Sequence, residues 1–301
     1  MFEILLDELV KLNSLLRDDG ISLILGGGMG LYLRDICLAG FGPRSPRYPR
    51  RPGSRSTEDL DVLLSADIIA DAEKMARIRD VIRDAMNYEV AVRYFQFVRK
   101  IKTEDWPREV GIDLLTAPPT QEKADDVKQK GNRARPHHVT EIHGRLTPEA
   151  AGIEIGAIPI DLSSVLDTER YRETEVYIPS SFNYLILKLH AFHDRKDRTD
   201  EKSDEGRHHA FDVFRIVTDM REQDWETAEH HIDLEGQEEY LRRAAYFQRD
   251  YFGNETGVGV MSLRGNEGYR RNHTEFDGYI DPFIEDLRQL FENVEPTERD
   301  L

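Results

Sequence analysis

The sequence predicts a mixed α/β core domain followed by a helical domain. Apolar residues recur every three or four positions over residues 2–18, which is the spacing of an amphipathic helix. Short apolar runs bounded by polar or glycine-rich turns, such as residues 59–64, predict strands. Beyond residue 179 the apolar spacing is helical almost throughout. We therefore expect an α/β (α+β) domain with a small mixed sheet over residues 1–178 and a helical domain over residues 179–301.

The elements of the first domain follow in order. Gly20 ends the first helix, a strand covers 21–25, and a glycine turn leads into a helix at 29–38. A loop rich in glycine, proline and arginine covers residues 39–55. The remaining expected elements are a strand at 59–64, a helix at 67–86, paired strands at 88–93 and 95–101, a strand at 109–115, and short strands near 138–143, 153–155 and 158–161.

The second domain begins at a helix-start signal. Ser180 and Ser181 follow a proline, and serine is a preferred residue for capping the first turn of a helix. An apolar helix should then cover 182–193, and a second helix should cover 208–220 after a charged stretch. The remainder predicts helices with a glycine-rich break near 253–268.

Composition restricts the class of protein. Charged residues make up 33% of the 301 residues, and no apolar run approaches the roughly 20 residues of a membrane span. The amino terminus lacks the positive leader and cleavage site of a signal peptide. A single cysteine, Cys37, excludes an internal disulfide and a cysteine-only zinc site, and we expect it to be a buried small residue. These features predict a cytoplasmic protein with no membrane association.

The distribution of charge is more informative than its total. A formal net charge of −17 argues against a surface that coats nucleic acid broadly. Against this acidic background, one basic patch lies within residues 128–138 and another lies in the 39–55 loop. The 39–55 loop itself carries five arginines, which form either a solvated loop or a contact with RNA phosphates or a triphosphate. These arginines are Arg44, Arg47, Arg50, Arg51 and Arg55.

Three aspartates are the strongest candidates for chemistry. Asp59 and Asp61 lie two residues apart on one predicted strand, so their side chains share a face. Asp113 lies on another predicted strand with apolar neighbours. Such carboxylates are either solvated charges on a strand edge or ligands of a hard divalent cation such as Mg²⁺ or Mn²⁺. The apolar flanks favour the metal site, because buried like charges need a counter-charge.

The glycine turn at residues 26–30 comes before this strand. It has neither the lysine of a P-loop nor the spacing of a dinucleotide-binding motif, so alone it is a weak signal. Backbone amides at the start of a helix can nevertheless hold phosphate groups. A glycine turn followed by paired aspartates on a strand predicts nucleotidyl transfer.

Together the two motifs resemble the polymerase-beta-type nucleotidyltransferase superfamily. The nearest group is the AbiEii/AbiGii-type toxin nucleotidyltransferases of abortive-infection and toxin–antitoxin systems. The resemblance covers residues 21–220 and departs from the group in two ways: the glycine-to-aspartate spacing is longer, and Met29 replaces a polar residue. The matching positions are Gly27, Gly28, Arg55, Thr57, Asp59 and Asp61, with Lys188, Arg195 and Asp212 as candidates for a later lysine, arginine and aspartate.

The resemblance implies a metal-dependent enzyme that moves a nucleoside monophosphate from an NTP to an acceptor hydroxyl. A tRNA or other RNA end is the implied acceptor, and an antitoxin protein is an implied partner. In this scheme Asp59, Asp61 and Asp113 are catalytic and metal-binding. The resemblance assigns the binding of the nucleotide to Gly27, Gly28, Arg55, Thr57, Lys188 and Arg195.

Other interpretations stay open from the sequence. The acceptor could be a small molecule or a protein side chain, or the fold could serve as a non-catalytic nucleotide-binding module. Lys188 either contacts phosphate or extends to solvent from an apolar helix. Asp212 either supports the site by anchoring a nearby cation or caps a turn.

Overall fold

In the computed structural model the chain divides into two compact units. The first comprises Met1–Leu38 and Ser54–Pro179, and the second comprises Ala39–Gly53 and Ser180–Leu301. The mixed α/β class with a helical carboxy-terminal region is confirmed. The structure describes residues 2–37, 45–50, 52–53, 57–102, 106–166, 168–198 and 204–298.

Helix positions in the first unit are close to those expected. The exceptions are the helix at Leu162–Leu166, which the sequence did not predict, and the single helix predicted at 67–86, which is divided at Asp71. That residue has a non-helical ψ of 109°, and its carboxylate accepts from the amides of Glu73 and Lys74 at 2.9 and 3.0 Å, so it caps a new helix. The helices are α1 (Phe2–Leu16), α2 (Gly27–Cys37), α3 (Ala66–Ala70), α4 (Ala72–Asp80), continued by a π-helical turn at Val81–Ala85, and α5 (Leu162–Leu166).

In the described residues, ten strands form one mixed sheet, which is larger than the sequence suggests. They are β1 (Ile24–Leu25), β2 (Asp59–Leu64), β3 (Glu89–Val92), β4 (Gln96–Ile101), β5 (Arg108–Thr116), β6 (Val127–Gln129), β7 (Arg133–Pro136), β8 (Gly144–Leu146), β9 (Ile158–Asp161) and β10 (Glu175–Ile178). The order is β6-β7-β8-β5-β2-β1-β10-β9, with the β3–β4 hairpin also joined to β5. Strand β5 lies parallel to β2 on one side, and β4 and β8 lie on its other side.

The two faces of the central strands differ in character. The even-numbered residues of β2 and of the end of β5, from Leu60 to Leu64 and from Ile112 to Thr116, are buried. Helix α3 covers this face. The space beside Gly144 of β8 is enclosed by Thr116 of β5 and Ile69 of α3, because a Cβ on this glycine would lie 2.6 Å from Thr116 Cγ2 and 3.3 Å from Ile69 Cδ1. The odd-numbered residues, which include the three aspartates, therefore project from the opposite face.

Two of the short strands expected from the sequence are wrong. Residues 138–143 form a loop because one Nη1 atom of Arg135 donates to the carbonyl oxygens of Pro136, His137 and Val139 at 2.8, 2.9 and 2.5 Å. Residues 153–155 lie in consecutive turns, between glycines with φ of 67° and 66°. Both tracts are apolar enough to suggest strands, but local hydrogen bonds and positive φ angles end the extended backbone.

The second unit is helical. Ser180 caps its first helix as predicted, accepting from the amide of Asn183 at 3.2 Å. Phe214 packs edge-on against Tyr269 and Phe283 in the core. The helices are α6 (Ser181–Arg195), α7 (Glu205–Asp219), α8 (Glu222–Glu235), α9 (Glu239–Phe252), α10 (Val258–Gly265), α11 (Glu267–Arg270), α12 (His273–Phe276) and α13 (Ile280–Leu290).

Residues 45–50 of the arginine-rich segment are anchored in this second unit. The side chain of Tyr48 is buried, and its hydroxyl donates to Asp286 at 2.5 Å. Arg47 pairs with Asp286 and its neighbour Glu285, and Arg50 pairs with Glu275 at 2.9 Å. These two arginines thus pair with carboxylates rather than extending freely into solvent; Arg44, Arg51 and Arg55 lie outside the described residues.

Two expectations about the chain as a whole can also be compared. Among the described residues, no helix is long and apolar enough to cross a membrane. Cys37, expected to be buried, is only partly so at the end of α2, and burial raises the pKa of its thiol to about 11.

Candidate metal centre

The three predicted aspartates come together on adjacent strands. Asp61 and Asp113 are register partners across the parallel pair of β2 and β5, and Asp59 lies two residues before Asp61 on the same face. One carboxylate oxygen from each lies within 4.8 Å of the others, and all three side chains are partly buried. Three hard oxygen donors at this spacing could hold a metal ion.

Two neighbouring side chains fix the orientation of these carboxylates. The Thr57 hydroxyl donates to Asp59 Oδ1 at 2.6 Å, and the Gln96 amide donates to Asp113 Oδ2 at 2.8 Å. Gln96 is placed by the pairing of β4 with β5, where it lies directly opposite Asp113. A carboxylate accepts several hydrogen bonds, so each aspartate keeps capacity for a cation.

The glycine turn lies directly against the aspartates. The amide of Gly26 donates to the Asp61 carbonyl at 2.8 Å, and α2 begins at the next residue. Gly27 has a φ of 54°, and a Cβ there would lie 1.6 Å from Asp61 Oδ2. A Cβ on Gly28 would lie 2.7 Å from Thr57 Cβ. Both glycines are therefore required by close packing, and the first amides of α2 lie beside the carboxylates.

The electrostatics of the cluster favour a bound cation. The pKa of Asp113 is raised from 3.8 to about 6: burial is the largest cause, the charge of Asp59 adds to it, and the Gln96 hydrogen bond and the positive charge of Arg145 oppose it. A carboxylate with a raised pKa is stabilised in its charged form by a nearby cation. The residues present therefore fit a hard divalent metal ion, whose identity the carboxylates alone do not fix.

Lys188 and Asp212, the later candidates, form a buried ion pair in the second unit. The ammonium of Lys188 lies 2.8 Å from Asp212 Oδ2, and the guanidinium of Arg215 lies 3.3 Å from Asp212 Oδ1. Because the side chain of Lys188 is only 8% exposed, it does not extend into solvent. Asp212, within α7, thus anchors a lysine and an arginine.

Two nucleotide-binding candidates remain, Arg195 and Arg55. Arg195 ends α6, where its Nη1 donates to the Ala191 carbonyl at 3.5 Å. Its contact with nucleotide stays a prediction, as does that of Lys188. Arg55 lies outside the described residues.

Sequence reasoning missed two residues of the centre. Gln96 and Arg145 carry no motif, and both reach Asp113 only because β4 and β8 lie beside β5. The strand assignment at 95–101 was the one signal that could have suggested Gln96.

Comparisons of the chain with protein-family models, with curated proteins and with solved structures found no match. The function is therefore argued from the geometry of the centre and from the motifs of the sequence.

Proposed function

We propose that this protein is a Mg²⁺-dependent nucleotidyltransferase, with Mn²⁺ as an alternative metal. The observation that carries the proposal is the convergence of Asp59, Asp61 and Asp113 within 4.8 Å, beside a glycine turn that opens a helix. Carboxylates on adjacent strands together with the first amides of a helix suit a substrate that carries both phosphate and metal. A bound divalent cation would neutralise the carboxylates and polarise phosphoryl oxygens of the nucleotide.

The chain's own residues perform the other tasks in this proposal. The first amides of α2, at Gly27 and Gly28, bind phosphate oxygens of an NTP. Asp113 accepts the proton of an acceptor hydroxyl, whose oxygen forms a bond to the α-phosphorus. The bond from that phosphorus to the bridging oxygen breaks, and pyrophosphate leaves. Thr57 holds Asp59 in the orientation that the site needs.

The acceptor is proposed to be an RNA end, with tRNA as the first candidate. This choice follows the resemblance to the AbiEii/AbiGii-type group, as does a role as a toxin with an antitoxin partner. The same resemblance assigns Lys188 and Arg195 to the nucleotide.

A transfer assay tests the proposal directly. Wild-type protein is incubated with each α-labelled NTP, Mg²⁺ and total cellular RNA, and the labelled products are separated by size. Asp59→Asn and Asp113→Asn are expected to lose transfer while staying folded, whereas Asp84→Asn, which alters an exposed aspartate, should keep it. Undiminished turnover in either site variant contradicts the mechanism.

Two further measurements separate the alternatives. Calorimetric titration with Mn²⁺ should detect binding to wild type and none to the double variant Asp59→Asn/Asp61→Asn. Aminoglycosides and total protein are then offered as acceptors in place of RNA. Transfer to one of these retains the enzyme and changes the acceptor, whereas nucleotide binding with no transfer at all favours a binding module.

A further inference from the structure

A row of basic side chains lies beside the aspartates on the same face of the sheet. Strand β8 pairs with β5 so that Arg145 lies opposite Leu115, two residues after Asp113. Arg133 on β7 lies opposite Arg145. Side chains of paired residues project from the same face, as do those two residues apart on one strand. Arg145 and Arg133 therefore extend the aspartate face outward.

The row continues onto β6. The amide of Lys130 donates to the Arg133 carbonyl at 2.9 Å, which places these two residues opposite each other. Lys128 lies two residues earlier and is exposed. We call Lys128, Lys130, Arg133 and Arg145 the basic strip. Strands in a sheet are about 4.8 Å apart, so the strip extends roughly 10 Å from β8 to β6.

The pairing of Arg133 with Arg145 is unfavourable without an anion. Like charges directly opposite each other on neighbouring strands destabilise a sheet. Among the described residues, no carboxylate lies within ion-pair distance of any of the four strip cations. In the described part of the chain the strip cations therefore have no ion-pair partner, and a carboxylate on which one of them acts is Asp113, which feels the charge of Arg145.

One nitrogen of the strip has no hydrogen-bond partner in the described part of the chain. The Nε–H of Arg133 is inaccessible to solvent and has no hydrogen-bond partner in the described part of the chain. A buried donor of this kind costs free energy unless something accepts its hydrogen bond. Arg135, two residues further along β7, differs because its guanidinium donates to three backbone carbonyls. Arg133 therefore differs from Arg135, whose guanidinium supports a loop.

The surroundings of the strip are electropositive. The pKa of His143, at the edge of β8, is lowered by burial and then by the charges of Arg133 and Arg135. At the other end, the charge of Arg145 acts on Asp113. The Arg145 end of the basic strip therefore lies next to the candidate metal centre, and an anion bound to the strip would lie beside the carboxylates.

We propose that the basic strip binds phosphate groups of a substrate that reacts at the aspartate cluster. Guanidinium groups bind phosphate oxygens through two parallel hydrogen bonds, and Arg133 and Arg145 can share one phosphate between them. The length of the strip suits successive phosphates of a single-stranded RNA better than one triphosphate. The inference deepens the proposed function, because it names where the acceptor strand or the nucleotide is held.

Binding measurements without turnover test the strip. The probes are inorganic pyrophosphate and a fluorescent single-stranded RNA of about ten nucleotides, both in metal-free buffer with a chelator. Arg133→Gln and Arg145→Gln are each expected to weaken RNA binding about tenfold, as charged hydrogen bonds are lost. The slope of log affinity against log salt should fall by about 0.7 for each lost phosphate contact.

Matched variants exclude a folding defect. Arg172→Gln removes one positive charge from a side chain that is 75% exposed, and it should bind RNA as wild type does. Arg133→Lys and Arg145→Lys keep charge but lose the paired geometry, so intermediate binding is expected. Removing either arginine should leave the thermal midpoint of the ligand-free protein unchanged or raised, because a repulsive pair is relieved.

Each outcome decides the inference. Wild-type affinity for both probes in the double variant Arg133→Gln/Arg145→Gln, or no binding of either probe by wild type, overturns it. Loss of pyrophosphate binding alone assigns the strip to the nucleotide, and loss of RNA binding assigns it to the acceptor. Because neither probe requires catalysis, absent nucleotidyl transfer with retained RNA binding rejects the proposed function and leaves the strip standing.

Discussion

The Asp61 carboxylate occupies the space that a side chain on Gly27 would need: a Cβ there would lie 1.6 Å from Asp61 Oδ2. Gly27→Ala is therefore expected to displace the carboxylate and to lower transfer at least about 100-fold. The φ of 54° adds strain of about 1–2 kcal/mol for a residue with a side chain. Transfer rates and urea unfolding measure the two effects separately.

Gly20→Ala is the matched control for that substitution. Gly20 also has a positive φ, 65°, but nothing lies within 4 Å of its Cβ position. The Gly20→Ala variant should therefore lose stability, as Gly27→Ala does, but it should keep the wild-type rate of transfer. Equal transfer by the Gly27 and Gly20 variants would mean that the position of Asp61 does not matter.

Thr57 provides a second prediction, since its hydroxyl donates to Asp59 at 2.6 Å. Thr57→Val keeps the shape and removes the donor, so kcat should fall about 10- to 100-fold, the cost of a hydrogen bond to a charged group. Thr57→Ser keeps the donor and should recover most of the rate. A valine variant with wild-type kcat and a serine variant with reduced kcat would assign Thr57 a packing role only.

The local parts of this site could be predicted from sequence. Asp59 and Asp61 share a face by strand periodicity alone, and the glycine turn precedes them in the chain. The proximity of Asp113 required the parallel pairing of β2 with β5, which the sequence suggested only through its apolar flanks. Arg145 could not be predicted, and Gln96 only through the strand expected at 95–101, because the places of both residues depend on strand order rather than on any local pattern.

The same limit applies to the lysine and aspartate of the helical unit. Lys188 lies on a strongly apolar helix. The spacing of apolar residues in one helix does not show which side chain of a neighbouring helix contacts this lysine. Its partner Asp212 lies on α7, so the buried pair was visible only in the packing of α6 against α7. The short strands expected at 138–143 and 153–155 were wrong for the opposite reason, because local turns outweighed a short apolar run.

Asp113 predicts a dependence on pH. Its pKa is raised to about 6, so the metal-free protein holds this proton more tightly than the unfolded chain does. The associated stability is present below pH 3.8 and is lost as the pH rises through about 6. Asp113→Asn should therefore stabilise the metal-free protein at pH 7, by up to about 3 kcal/mol, while abolishing metal binding. Chemical denaturation with a chelator present measures the gain.

The affinity for metal should also depend on the protonation of Asp113, but it should rise with pH, whereas the stability from Asp113 falls. A metal ligand must be deprotonated, so Mn²⁺ affinity of the wild type is expected to fall about tenfold per pH unit below the pKa of Asp113. Calorimetric titrations from pH 7.5 to about 5 would detect the change. An affinity that stays constant over this range would show that Asp113 is not a ligand.

The Lys188–Asp212 pair predicts unequal effects of its two partners. Lys188→Met leaves Asp212 with Arg215, whereas Asp212→Leu leaves two buried cations facing each other. We expect a loss of roughly 3–5 kcal/mol for Asp212→Leu and a smaller loss for Lys188→Met. Urea unfolding of each variant measures this, and a larger loss for the lysine variant would contradict the pairing.

Two buried histidines should make the helical unit sensitive to acid. Burial lowers the pKa of His190 and of His231 from 6.5 to about 4, so the unfolded chain takes up protons that the folded chain does not. Their contribution to stability is full above pH 6.5 and is lost as the pH falls toward about 4, by up to about 3 kcal/mol each. Unfolding followed by the fluorescence of Trp225, in a Trp106→Phe background, reports on this unit.

The variant His231→Gln tests one of the two rings. It retains a donor for the Tyr240 hydroxyl, which lies 2.7 Å from His231 Nε2, and it should flatten the pH dependence by about half. Replacing the exposed His138 by glutamine should leave the pH dependence unchanged, and equal slopes for all three proteins would mean that the buried His231 ring does not resist protonation.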